Sequence, residues 1–182
     1  MSKSVKEKTK RKGKSIYSKN MLSRKIVLPF TSVGGNLNDI LKQKLEEELY
    51  EKCCKEGYIK TDSIRIASYS SGVIKENDVH FDVLFECLIC HPIEGQIIKC
   101  KVENITRAGI RAIYFKEQKS PITIFIARDH HYDNKYFSTI KEEDIIIIKV
   151  IGIRYELNDE TISVLGELKQ QKQRLTKIKL EE

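Results

Sequence analysis

The segment His91–Val102, HPIEGQIIKCKV, sets a proline and a glycine three residues apart between two runs of alternating apolar residues. Pro92 has no N–H to give to a central ladder, and Gly95 opens a fresh strand, so the segment reads as a hinge between two β structures. That hinge limits what the chain can fold into. It predicts an α+β, mostly β protein of two unlike modules. The first is an antiparallel sheet with one long helix, over residues 26–91. The second is a small all-β module, over residues 92–169. A basic tail of residues 1–25 and a second, weaker one of residues 170–182 flank them.

The chain has 182 residues, enough for one ordinary domain or two small ones. A hydrophobic fraction of 40% supports a core. The longest apolar run, Ile145–Ile153, is interrupted by Lys149 and Gly152. It falls well short of the ~20 residues that cross a bilayer. No apolar stretch follows the basic N-terminus, so no secretory signal is read there. A soluble, intracellular protein is expected. Its five cysteines (Cys53, Cys54, Cys87, Cys90 and Cys100) are then expected to be reduced.

The net charge of +7 is uneven. Residues 1–25 hold ten Lys or Arg against Glu7 alone, or +9, so the rest of the chain sums to −2. The basic character belongs to the tail, which has few apolar residues and reads as disordered. Phosphate contact, nuclear targeting and solubility all suit its KTKRKGK run, Lys8–Lys14.

In the first module a short strand, Lys25–Leu28, stops at Pro29. Gly34 and Gly35 lead to Asn36, a good helix N-cap. Leu37, Ile40, Leu41, Leu45, Leu49 and Cys53 then recur at three- and four-residue steps, which predicts an amphipathic helix over 37–55. Glu48 with Lys52 and Glu51 with Lys55 are spaced as stabilising pairs, and Gly57 serves as the stop. Cys53 and Cys54 read as one core thiol and one exposed neighbour. Strands over 58–67 and 73–75 flank the turn Tyr69–Gly72. From Val79 to Cys90 one face is apolar and the other mostly polar.

In the second module, strands are expected over 96–105, 109–115, 122–127, 144–154 and 161–168. Turn signals at Ala108-Gly109, Ser120-Pro121 and Asn158-Asp159 separate them. Five short strands suit an OB-type barrel. Its longest connection, Arg128–Glu143, is where ligand contacts are expected.

Five stretches in this order resemble the stalk subunit of DNA-directed RNA polymerase, the family of the seventh subunit of polymerase II and its archaeal counterpart. They are Val27–Ile59, Ser71–Ile74, Val79–Ile98 with its Pro-x-x-Gly, SPITIFIARDHH at Ser120–His131, and Ile145–Lys169 with its Lys-Val-Ile-Gly and Leu-Gly-Glu-Leu pieces. Together they cover about residues 26–169. The resemblance implies a non-catalytic accessory without cofactor or metal. Its helix-bearing tip domain would dock on the large core subunits near the clamp and also meet a second stalk subunit. Its barrel would contact emerging RNA. It implies docking through Pro29, Phe30, Gly34, Gly35, Gly57, Tyr58, Ser71 and Gly72, with Pro92 and Gly95 as the hinge. For RNA, a cationic face with stacking rings is needed. Lys99, Lys101, Arg107, Arg111, Arg128, Lys149 and Arg154 are the candidate cations. Tyr114, Phe115, Tyr132 and Tyr136 are the candidate rings.

Two features depart from that pattern. Barrels of this kind often carry an aromatic residue after the glycine of the second strand, where this chain has Gly109-Ile110-Arg111. The basic N-terminal extension is also unusual. The Ile- and Lys-rich composition suits a low-GC genome such as that of a large DNA virus. The compartment expected is then the nucleus, or a cytoplasmic viral factory and virion.

Other chemistries compare poorly. Cys87-Leu88-Ile89-Cys90-His91 spells a c-type haem attachment pattern, and with Cys100 it offers zinc ligands. Residues three apart in a strand point to opposite faces, which splits Cys87 from Cys90 and leaves two buried thiols as the simpler reading. Asp129-His130-His131-Tyr132-Asp133 reads as a solvated loop. No phosphate loop, nucleophile elbow or paired-carboxylate motif is present. A free-standing OB-type RNA-binding protein of translation or RNA decay is the alternative. It would have no need of residues 26–91. No membrane or small-molecule partner is expected.

Overall fold

The computed structural model describes residues 15–169. The tail expectations for residues 1–14 and 170–182 lie outside that range.

The first sheet is built on one long strand. Strand β6 (Asp78–Cys90) has 13 residues, with Val79, Phe81, Val83, Phe85, Cys87 and Ile89 buried on one face. Along one side it pairs antiparallel with all of β1 (Tyr17–Pro29), from Tyr17 opposite Cys90 to Pro29 opposite Asp78. Its other side is shared by three short strands in succession. These are β3 (Gly57–Ile59) at the Cys90 end, β4 (Arg65–Tyr69) in the middle and β5 (Val73–Lys75) at the Asp78 end. Strand β2 (Cys53–Cys54) pairs with β3.

Residues 17–25 were expected in the disordered tail, but they form most of β1. Their apolar signal is thin because only Tyr17, Leu22 and Arg24 are partly covered, while Lys19, Met21, Ser23 and Lys25 face solvent. A ready ladder on β6 organises them instead. An ion pair from Lys19 to Glu86 of β6 supports the register, and one from Arg24 to Glu56, in the turn between β2 and β3, ties β1 to that turn, both at 2.5 Å.

Helix α1 (Leu37–Leu49) buries Leu41, Leu45 and Leu49 against the sheet core of Ile26, Leu28 and Phe85. It ends earlier than expected. Tyr50 is extended and Glu51 adopts φ +60. The expected pairs therefore never form on a helix. Glu51 instead reaches Lys119, and the helical pairs are Lys42–Glu46 and Lys44–Glu47. Asn36 occupies the N-cap, but its side chain makes no capping hydrogen bond. Cys53 and Cys54 lie in a strand and both are buried, which corrects the expectation of one exposed thiol. Residues 58–67 divide between β3 and β4.

The second half closes into a barrel. Its strands are β7 (Ile97–Ile105), β8 (Gly109–Ile113), β9 (Ile122–Ala127), β10 (Ile145–Arg154) and β11 (Ile162–Lys169). Around the ring they run β7-β8-β9-β11-β10 and back to β7. The one parallel pairing is β9 with β11. All other neighbours are antiparallel. First, second, third, fifth, fourth is the strand order of a closed OB barrel. Inward residues alternate along each strand, with Ile98, Cys100, Ile110, Ile124, Ile126, Ile148 and Val164 at its centre.

The barrel core does not stop at the hinge. Ile16, Cys53, Tyr58 and Cys90 of the first half join the same buried cluster. Cys53 exchanges backbone hydrogen bonds with the β10–β11 turn, N–H to Asp159 O at 2.8 Å and O from Asn158 N–H at 2.9 Å. Lys60–Glu117 and Lys119–Glu51, each 2.8 Å, bridge the same junction. The Tyr155 hydroxyl donates to Lys55 O at 3.1 Å. Gly95, at φ +82, donates its N–H to Val150 O at 2.8 Å, and Pro92 is buried. The linker is a tied turn between two packed modules.

Candidate nucleic-acid interface

In an OB barrel the outer face of the second and third strands is the usual platform for oligonucleotides. Here those strands are β8 and β9. On their outer side Arg111 stands directly opposite Phe125. Phe125 is 39% exposed, although Ile122, Ile124 and Ile126 of the same strand are fully buried. Strand alternation produces this, because each odd position between isoleucines must face water. Arg111 is exposed and is steadied by Glu103 at 2.8 Å from its Nε. Beyond Phe125 a groove of about 290 Å³ runs over Gly152, Ile153, Arg154, Ser163 and Leu165. Arg154 is almost fully exposed, with one 3.3 Å contact to Glu156. One ring between two guanidinium groups can stack on a base and hold its flanking phosphates. Phe125 was not among the sequence candidates. Its signal was the single large ring in the outward set Thr123, Phe125, Ala127.

The other candidates separate. Arg128 holds the β7–β8 turn, donating to Arg107 O at 2.9 Å and Thr106 O at 3.1 Å while lying 5.3 Å over the Phe137 ring. Arg107 is exposed at that turn. Tyr114 is buried at 4% exposure, so it cannot present a stacking face. Phe115 is exposed beside it, Tyr136 is half-buried, and Tyr132 is 81% exposed on the β9–β10 connection. Lys99, Lys101 and Lys149 lie on the β7–β10 seam, away from Phe125. Ile110 lies in the barrel core at 0% exposure, so a ring in its place would fill the interior rather than meet a base. Arg111 is the residue that faces out.

The loop Asp129–Asp133 is not wholly solvated, since His131 is buried. Cys87 belongs to the sheet core and Cys90 to the barrel core, so they do face apart. Burial pushes both thiols up, to about 11 and about 12. Among the described residues no group of three or more His, Cys, Asp or Glu is arranged for a metal ion.

The docking candidates also divide. Pro29 and Phe30 line a groove of about 610 Å³ with Thr31, Ile74, Glu76 and Asp78. Phe30 and Ile74 are 58% and 64% exposed there. Gly34 and Gly35 follow in the adjoining loop, and Ser71 and Gly72 precede β5 at the same end of the sheet. Gly57 and Tyr58 sit at the opposite end of β6, ~40 Å away at ~3.3 Å per residue. Both are buried at the barrel junction, so they hold the modules together and are not a docking surface.

No known family model matches the chain. It is similar to a protein of Acanthamoeba polyphaga mimivirus provisionally assigned as a DNA-directed RNA polymerase subunit. The two are 26% identical over 170 residues, spanning 85% of this chain and 82% of that one. It is also similar to DNA-directed RNA polymerase II subunit RPB7 of Glycine max, 23% identical over 82% of this chain and 90% of the relative. DNA-directed RNA polymerase II subunit 7 of Arabidopsis thaliana is 23% identical over 75% and 84%.

The chain is a homologue of the seventh subunit of RNA polymerase. As a homologue of RNA polymerase subunits it has its place in transcription. The similarity spans both modules of this homologue, the helix-bearing sheet as well as the barrel. The relatives belong to a viral polymerase and to polymerase II, which points to a viral or nuclear setting. Among the described residues no helix is long and apolar enough to cross a membrane.

Proposed function

We propose that this subunit is a non-catalytic stalk component of a multisubunit DNA-dependent RNA polymerase, with residues 26–91 as its docking module and 92–169 as its RNA-guiding module. The Phe30–Ile74 groove docks on the large core subunits near the clamp. The Arg111–Phe125–Arg154 face guides emerging transcript. The observation that carries the reading is the closed barrel in OB strand order with an exposed ring between two arginines, on a chain whose relatives are polymerase subunits across both modules. Docking suits the groove because two large apolar side chains stand exposed at the end of the sheet farthest from the barrel. Metal-dependent nucleotidyl transfer would reside on the large subunits. A second stalk subunit and a nuclear or viral-factory compartment complete the proposal.

The test uses the full tagged chain. Wild type should retain large polymerase subunits in stoichiometric amounts. Phe30→Asp with Ile74→Asp should abolish retention. Phe125→Ala should keep retention but weaken single-stranded RNA binding about tenfold, in line with the ~1–3 kcal/mol of one stacked base. RNA affinity with no large subunit retained would favour the free-standing RNA binder instead. Unchanged RNA affinity in Phe125→Ala would remove the barrel face from the reading.

A further inference from the structure

The barrel has a second exposed face with a different chemistry. Where β7 and β10 pair, each outward cross-strand pair joins one isoleucine to one lysine. Ile145 faces Lys101, Ile147 faces Lys99 and Lys149 faces Ile97. Ile97 is 67% exposed, Ile145 46% and Ile151 37%. The turn before β7 adds Ile93 at 61%, held near Val150 by the Gly95 hydrogen bond. Single exposed isoleucines are ordinary, but a run of them along one seam marks a contact surface.

The composition of the seam decides among occupants. Neither strand carries an aromatic residue, so the seam has nothing for a nucleic-acid base to stack on. A closed barrel offers no free strand edge, so recognition must come from side chains. Lys101 is paired with Glu143, whereas Lys99 and Lys149 form no ion pair among the described residues, although Glu167 of β11, itself paired with Lys169, stands across the ladder from Lys149. The chain's own remaining segments have the wrong sign. Residues 1–14 hold seven Lys or Arg against one Glu, and residues 170–182 four against two. A second copy would set lysines against lysines.

We propose that the β7–β10 seam is a docking site for an acidic amphipathic segment of a partner protein. Apolar side chains of the segment cover Ile97, Ile145 and Ile151, and its carboxylates meet Lys99 and Lys149. This surface lies on a different strand pair from the Phe125 face, so it goes beyond RNA contact. Lysine stems cover apolar surface while their ammonium groups stay in water, which lets one seam offer both kinds of contact. Charge steers the encounter, and the isoleucines hold it.

The test is fluorescence anisotropy on the full chain. The probe is a labelled helical peptide with leucines on one face and glutamates beside them. The wild type should bind it. Ile97→Ser with Ile145→Ser should weaken binding at least tenfold, and Lys99→Gln with Lys149→Gln should weaken it and flatten its salt dependence. The same peptide with lysine in place of glutamate should not bind, and an excess of single-stranded RNA should not displace the acidic one. Circular dichroism of the variants, whose changes are all on the surface, should match wild type. Equal binding of both peptides, indifference to the isoleucine changes, or displacement by RNA would each overturn the site, the last in favour of nucleic acid.

Discussion

His131 accepts a hydrogen bond at Nε2 from the backbone N–H of Leu168, at 2.8 Å. Since that N–H can only donate, the ring must carry its proton on Nδ1, where it donates to Ala127 O at 2.8 Å. The ring also stacks on Phe137 at 5.6 Å. One side chain thus pins the long β9–β10 connection to the last strand. His131→Leu removes the partners of the buried Leu168 N–H and the half-buried Ala127 O and should lower stability by roughly 2–6 kcal/mol, at ~1–3 kcal/mol per unsatisfied group. Urea denaturation measures the loss. Nitrogen-15 NMR of the wild type should show the Nδ1–H tautomer.

Gly57 is the tightest point of the module junction. It adopts φ +127, and a Cβ there would meet Cys90 O at 2.5 Å. The backbone cannot yield without moving the end of β6. Gly57→Ala should therefore cost at least about 2 kcal/mol, from the disfavoured φ and the clash together. Gly34→Ala is the control, because open space surrounds that position, and its melting temperature should match wild type.

The junction depends on turn geometry more than on charge. Asn158 holds φ +69 where its N–H reaches Cys53 O. Asn158→Gly should be neutral, and Asn158→Val should cost about 1–3 kcal/mol, the range for a branched residue forced into the left-handed region. Glu117→Gln removes a partly exposed ion pair and should cost less than about 1 kcal/mol. Limited proteolysis between the modules should rise only in the valine variant.

The turn before the barrel follows the same logic. Gly95 has open space around it, so Gly95→Val acts only through its φ of +82. The expected loss is about 1–3 kcal/mol by denaturation. The modules should stay joined, since the Cys53 and Tyr155 contacts are independent of that turn. Scattering dimensions unchanged from wild type would bear this out.

Burial raises the thiols of Cys90 and Cys100 from 9.0 to about 12. A thiol whose folded value lies above its unfolded value is protonated in the fold and ionised in the open chain. Its contribution to stability is complete below about pH 9 and falls away as pH rises toward 12. Stability should therefore decline across that alkaline window, and the decline should be shallower in Cys100→Ala. At neutral pH a thiol reagent should label none of the buried cysteines until the protein unfolds.

Much of the architecture was legible in the chain itself. The isoleucines of β9 and the alternation of β6 announced their strands, because each has one face in a core and one in water. Helix α1 was visible in its leucines but its end was not. Cys53 continues the helical spacing, yet its burial belongs to the barrel junction. The first half of β1 was missed for a related reason: it is ordered by hydrogen bonds to β6, and Met21 and Lys25 advertise none of that. For the proposed site, the sequence could name cationic positions but not their grouping. Lys99 and Arg111 are both strand residues with outward side chains, and only ring closure reveals that they face different ways.

What the amino-acid order determined by itself is local: alternation in the strands, the helical stripe, the turns at Gly95 and Asn158, and through motif order the link to polymerase subunits. Tertiary structure decided which outward residues meet. It set Arg111 against Phe125, set Ile97 against Lys149, buried Tyr58 and Tyr114, and joined the modules through Cys53. The reason is physical. A strand's pleat depends on its own residues, whereas cross-strand neighbours depend on register and closure, which arise from hydrogen bonds between segments far apart in the chain.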